Sequence, residues 1–157
     1  MNNTTIAAYY EVDHNRLDEL FEAFHLWKRK DFPKAKEFFR EFKFGLQRHI
    51  VWEEEILFPL FEEKTGMRDC GPTAVMRMEH RQIKAALEAI HEKVKAKNPD
   101  SDTDEEQLIS ILSQHNQKEE NILYPGIDHA LQNDERKQVF QKMKEIPEER
   151  FQHCCGG

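Results

Sequence analysis

Two His-x-x-x-Glu pairs, His49/Glu53 and His115/Glu119, each with a lone histidine upstream, His14 and His80, are the residues whose types and spacing could do chemistry. A histidine and a glutamate four residues apart lie on one face of a helix, one turn from each other. Four imidazoles and two carboxylates, with no thiolate among them, suit iron, manganese or zinc and disfavour magnesium or calcium. Two carboxylates placed to bridge, and two histidines for each ion, describe a dinuclear centre. Each ion would keep about four protein ligands, with room left for an oxo, hydroxo or diatomic ligand. Two iron ions (Fe2+/Fe3+), oxo- or hydroxo-bridged, are the expected occupants, because such pairs exchange electrons with oxygen species; manganese or zinc fit the same donors. Buried without a cation, the six groups would leave unpaired charge costing several kcal/mol.

The six residues come in two matching sets. An offset of 66 residues carries His14 onto His80, His49 onto His115 and Glu53 onto Glu119. The same offset lays Glu53-Glu54-Glu55-Ile56-Leu57-Phe58-Pro59 on Glu119-Glu120-Asn121-Ile122-Leu123-Tyr124-Pro125, and His25 on His91. The chain therefore reads as two helical hairpins of one design. In a hairpin of helices, residues equally far from the turn share a level. His14 and His49 are centred on the turn at Lys30–Pro33, His80 and His115 on the turn at Asn98-Pro99, and His49 and His80 straddle the loop around Gly66. All four histidines are expected in one layer.

The elements that must hold that layer follow from punctuation and periodicity. Glycine and proline cluster at Lys30–Pro33, Thr65–Pro72 and Asn98–Asp102, and apolar residues recur every three or four positions between them. Leu17, Leu20, Phe21, Phe24 and Trp27 mark a first helix, and Ala35, Phe38, Phe39, Phe42 and Leu46 a second that continues through Ile56, Leu57 and Leu60. Ile83, Leu87, Ile90 and Val94 mark a third; Leu108, Ile111, Leu112, Ile122 and Leu123 a fourth. Pro33 and Pro72 suit first helical turns, and Asp104 with Gln107 resembles a capping box. The fold class is all-α: an antiparallel up-down four-helix bundle over about residues 10–131, a short additional helix at about 134–146, and a flexible tail from 147 to 157. One domain accounts for 157 residues.

Composition narrows the function classes. A net charge of −7 argues against a nucleic-acid groove, and no apolar run approaches the roughly 20 residues of a membrane helix. The N-terminus lacks the basic stretch and apolar core of a signal peptide, so a cytoplasmic protein is expected. Cys70, Cys154 and Cys155 form no disulfide framework and are expected as reduced thiols.

At His14, His49-x-x-x-Glu53, His80 and His115-x-x-x-Glu119 the sequence resembles the hemerythrin-like, or HHE cation-binding, family over about residues 10–130. The resemblance implies a bundle with a non-haem di-iron centre and two bridging carboxylates. Its small ligand would be O2 or NO, bound for sensing, storage or stress response; the alternative is a di-iron redox enzyme reducing peroxide or NO, or donating iron for iron-sulfur repair. Oxygen carriers of the family have a fifth histidine four residues before the third-helix ligand, where this chain has Met76. Carriers also often set the last carboxylate five residues after its histidine, which would make Glu120 an alternative to Glu119.

Other polar positions have plainer readings. His25 and His91 lie eleven residues beyond His14 and His80, roughly 16 Å along a helix, too far to reach the same ions. They are expected at the bundle end, with a second metal site or proton relay as the alternative. Glu22-x-x-His25 and Glu88-x-x-His91 also fit a ferritin-like spacing, though on helices one and three. His129 and His153 are expected at the surface. Tyr124 could donate a hydrogen bond to a site carboxylate; Phe58 holds the equivalent place in the other half, which would make the two ions inequivalent.

Overall fold

The computed structural model describes residues 4–152, and every regular element among them is a helix. α1 (Ile6–Trp27) and α2 (Phe32–Trp52) are joined by a four-residue turn, and α3 (Phe58–Thr65) prolongs α2. α4 (Pro72–Lys95), α5 (Asp102–Lys118) and α6 (Tyr124–Ala130) repeat that arrangement, and α7 (Asn133–Glu145) and α8 (Glu149–Gln152) follow.

Local chemistry sets the boundaries. The Thr5 hydroxyl accepts from the Ala8 N–H at the start of α1, and the Asp31 carboxylate accepts from Lys34 at the start of α2, where Pro33 needs no donor. Gly66 closes α3 in the left-handed region at φ 76°. The expected capping box at Asp104 is absent: α5 starts at Asp102, and its first turn carries Asp102, Asp104 and Glu105 against the helix dipole. A reciprocal capping box forms instead at Gln132 and Glu135, opening α7.

The second and fourth long helices are not uniform. Each passes through one π-helical turn, Glu53–Leu57 and Glu119–Leu123, in which the Phe58 N–H bonds the Glu53 carbonyl and the Tyr124 N–H bonds the Glu119 carbonyl. Pro59 and Pro125 explain it. A proline ring collides with the carbonyl four residues back and offers no N–H, and a widened turn relieves both.

Buried side chains form two apolar clusters. One gathers Leu17, Phe21, Phe24, Phe39, Phe42, Ile83, Leu87 and Ile90. The other gathers Ile6, Tyr10, Trp52, Phe58, Met76, Tyr124 and Ile127 with Val139 and Met143 of α7. Gly45 lets α1 and α2 close up beside His49: a Cβ there would stand 2.7 Å from Leu17 Cδ2.

The tail does not leave the bundle at 147. Phe151 on α8 is buried, edge-on to Phe44 at 5.7 Å and to Trp52 at 6.5 Å, so burial of one aromatic ring holds the segment down. His153, Cys154 and Cys155 lie outside the described residues. Among the described residues, no helix is long and apolar enough to cross a membrane.

Candidate metal centre

All six site residues converge between the two apolar clusters, none more than 4 % exposed. α1 supplies His14, α2 His49, α4 His80 and α5 His115, while Glu53 and Glu119 are the first residues of the two π turns. Ligand atoms of Glu53, His80, His115 and Glu119 lie within 4.8 Å of one another, as do those of His14, His49 and Glu119. Glu119 belongs to both sets; its Oε1 is 3.2 Å from His14 Nε2 and 3.3 Å from His115 Nε2. Glu53 reaches both ways, with Oε1 3.1 Å from His80 Nε2 and Oε2 3.7 Å from His49 Nε2.

A second row of carboxylates fixes the imidazoles. His14 Nδ1 is 2.7 Å from Glu120, His49 Nδ1 2.8 Å from Asp13, His80 Nδ1 2.6 Å from Glu54 and His115 Nδ1 2.9 Å from Glu79. An Nδ1–H donating to each carboxylate turns the Nε2 inward, where a metal that displaced its proton would find the lone pair. Sequence reasoning missed Asp13, Glu54 and Glu79, although the offset of 66 residues relates Asp13 to Glu79 and Glu54 to Glu120. Glu120 is thus part of this outer row.

The donor set fits a cation on two further observations. His14 Nε2 and His49 Nε2 face each other at 3.1 Å, lone pair against lone pair once both Nδ1 atoms donate outward. Glu119 Oε2 is buried with no hydrogen-bond partner among the described residues. A metal ion answers both, whereas a metal-free site must keep protons. Burial alone would lower the pKa values of His14 and His80, yet hydrogen bonds and charge from Glu119 and Glu120 on one, and from Glu53 and Glu54 on the other, carry each to about 9. Burial, together with the charge of Glu119, raises Glu53. Burial would likewise raise Asp13, but the His49 hydrogen bond overrides it and draws Asp13 down to about 2.

The two halves differ beside the shared carboxylates. The Tyr124 hydroxyl lies 2.6 Å from Glu53 Oε2, 2.9 Å from Glu119 Oε1 and 3.1 Å from His49 Nε2. Phe58, its counterpart, stacks on His80 with centroids 5.8 Å apart. Enclosed by the six residues with Leu17, Phe42, Ile83 and Leu112 is a cavity of about 20 Å³. A wider cleft of about 360 Å³ between α1 and α5 shares Asp18, Phe42, Leu112 and Asn116 with it.

His25 and His91 stay outside this centre. His25 Nδ1 is 2.7 Å from Glu105, in a group with Asp102 whose middle is held by the Lys28 ammonium, bonded to Glu105, Asp102 and Ser101. A lysine already supplies the cation there, which removes the reason for a second metal. His91 stacks on Phe39 at 6.1 Å. Among the described residues the two share no ligand cluster, as the ferritin-like spacing would require. His129 is exposed.

Residues 5–127 match the hemerythrin HHE cation-binding domain. The chain belongs to that family. Among curated hemerythrin-like relatives, it is 34 % identical over 89 residues to the iron-sulfur cluster repair protein YtfE of Edwardsiella ictaluri, covering 51 % of this chain and 40 % of that protein. The YtfE of Escherichia coli O81 is 32 % identical over the same shares. A protein named DNA nickase from Nostoc sp. is 27 % identical over 146 residues, 93 % of this chain and 40 % of that protein. The chain thus spans about two fifths of the length of these relatives. No solved structure matches it. Within this hemerythrin-like domain, Met76 is buried in the apolar cluster that also holds Tyr10, the residue standing four positions before His14 as Met76 stands before His80.

Proposed function

We propose that the protein binds two iron ions, His14 and His49 on one, His80 and His115 on the other, with Glu53 and Glu119 bridging. The observation that carries this is the pair of Nε2 atoms facing each other at 3.1 Å beside a Glu119 oxygen without a hydrogen-bond partner among the described residues, each histidine tied from behind by its own carboxylate. The antiparallel up-down arrangement of four helices is supported by the contacts. Phe24 meets Phe39 while Tyr10 meets Trp52, and Lys93 pairs with Asp104 while Lys118 pairs with Glu79.

Bound iron would supply reversible electron exchange and open coordination positions for O2 or NO. The chain's own residues do the rest. Leu17, Phe42, Ile83 and Leu112 wall in the cavity, whose free volume of about 20 Å³ is on the scale of a single water. Tyr124 offers one hydroxyl proton to Glu53 or Glu119, and so can hold the carboxylate pair on the His49 side. The function that fits is binding of a diatomic ligand for sensing, storage or stress response, in the cytoplasm, without nucleic acid or membrane; the net charge of −7 supports that exclusion.

A second reading is favoured by the YtfE likeness and by Met76: a redox enzyme acting on peroxide or NO, or an iron donor in iron-sulfur repair. One experiment separates the two. After anaerobic loading with Fe(II), exposure to O2 yields a spectrum that reverses on removing O2 if the protein is a binder. Rapid, irreversible oxidation with repeated peroxide consumption supports the enzyme. Iron content unaffected by His49→Ala and His115→Ala would defeat both.

A further inference from the structure

All three tyrosines of the chain form a line from the metal centre to the surface. Tyr124, whose hydroxyl touches Glu53 and Glu119, packs 5.0 Å from Tyr10, and Tyr10 lies 5.9 Å from Tyr9, which is 39 % exposed. The other half of the repeat has no such line. The residues matching Tyr9, Tyr10 and Tyr124 are Val75, Met76 and Phe58, and the remaining aromatic packing draws on eleven phenylalanines.

A phenol differs from a phenyl ring in its hydrogen bonds and in losing one electron far more readily. Hydrogen bonding does not explain Tyr10. Its hydroxyl is fully buried against the Met143 thioether at 3.5 Å, a weak acceptor, so packing alone would favour phenylalanine there. Trp52 flanks the line at 6.3 Å from Tyr10 and 6.1 Å from Tyr9. The Arg48 guanidinium sits over its ring at 4.8 Å, and a cation in that position disfavours an indole radical cation. Trp52 therefore walls the path, and the tyrosines carry it.

We propose that Tyr124, Tyr10 and Tyr9 form a relay that conducts single oxidising equivalents from the metal centre to the surface. The proposal rests on the reading of the centre as a redox-active iron pair. Cleaving the O–O bond of hydrogen peroxide to two waters takes two electrons and two protons. When the pair has only one electron left to give, Tyr124 supplies the second. Its phenolic proton moves to Glu53 and is held there, and solvent provides both protons that the departing oxygens take. Tyr10 then gives an electron while Glu53 hands back its proton to restore Tyr124, and Tyr9 gives an electron to Tyr10 and releases its own proton to solvent. A thiol at the surface returns a hydrogen atom to Tyr9 and leaves as a thiyl radical. The buried ligands are spared oxidation.

The test loads the full chain with Fe(II), verifies two irons by elemental analysis, oxidises it by one electron, adds peroxide and freezes samples for electron paramagnetic resonance. The wild type shows a tyrosyl signal that thiol quenches. Tyr124→Phe abolishes it. Tyr10→Phe keeps a signal at Tyr124 whose decay is slower on the order of tenfold, and peptide mass spectrometry finds oxygen added at ligand-bearing peptides. Tyr9→Phe slows thiol quenching. A loaded wild type without a tyrosyl signal, or a Tyr10→Phe decay equal to wild type, overturns the relay alone. A chain that takes up no iron overturns the site reading and the relay with it.

Discussion

The first hairpin contributes His14, His49 and Glu53 and the second His80, His115 and Glu119, so the candidate ligands are matched while their neighbours are not. On the His49 side stand Tyr124 and Tyr10; on the His80 side stand Phe58 and Met76. At the far end the contrast returns. His25 pairs with Glu105, which is neutralised by buried Lys28, whereas His91 stacks on Phe39 and the residue matching Lys28 is Val94. A repeat therefore fixes which atoms can meet a metal, while its departures from symmetry fix what surrounds each histidine pair.

The far end should give the largest effect on stability. Lys28 has no exposed side-chain surface and Glu105 only 2 %, so Lys28→Ala should cost about 3–5 kcal/mol in denaturant unfolding by stranding Glu105. Copying the other half, Lys28→Val with Glu105→Phe, should recover much of that loss. A double variant no better than the single would break the comparison.

At the centre, Glu119 serves both ligand clusters, so Glu119→Ala should abolish uptake of both ions, while His115→Ala should leave one per chain. Equal losses in the two variants, measured by elemental analysis, would mean that the halves do not bind separately.

The outer carboxylates give the next effect. Asp13→Ala and Glu79→Ala, related by the repeat, should each weaken metal affinity by about 10–100-fold in chelator competition. Asp13 also receives Arg16, at 3.0 Å, while Glu79 receives Lys118; the pair compares how well each outer carboxylate is anchored.

The pH dependence follows from the raised histidines. With pKa values of about 9, His14 and His80 are protonated at neutral pH in the metal-free protein, and a metal must displace those protons. Uptake should therefore release protons, and affinity should rise from neutrality to about pH 9 and then level off. The smallest effect is expected at Gly45. Gly45→Ala should displace the side-chain ends of Leu17 and Arg16 beside the His14/His49 pair, visible as slightly weaker binding of one ion and not the other.

The convergence of the six candidate ligands was legible because two independent spacings, the repeat and the distances to the turns, agreed on it. Asp13, Glu54 and Glu79 obey the same repeat, but they are hidden among 30 acidic residues that a charged helical surface carries anyway. The π turns were foreshadowed only by Pro59 and Pro125, since apolar periodicity is barely disturbed by one widened turn. Lys28 could not be found, because a lysine near a helix end is ordinarily solvated and only tertiary packing buries it. Phe151 was missed for the same reason: one ring in a polar stretch shows no period.

The two apolar clusters meet across a slab of ionisable groups, and that division reaches beyond ligand chemistry. A ligand that binds only the folded state lowers the fraction of open molecules by mass action. Both clusters are built on the same long helices, α1, α2 and α4; with the slab filled, a ligand ties those helices at mid-length, and with it empty, buried ionisable groups interrupt the core there. Proteases act on opened chains. The protein's lifetime, and so its amount, should then follow the supply of metal even where no reaction at the centre is taking place.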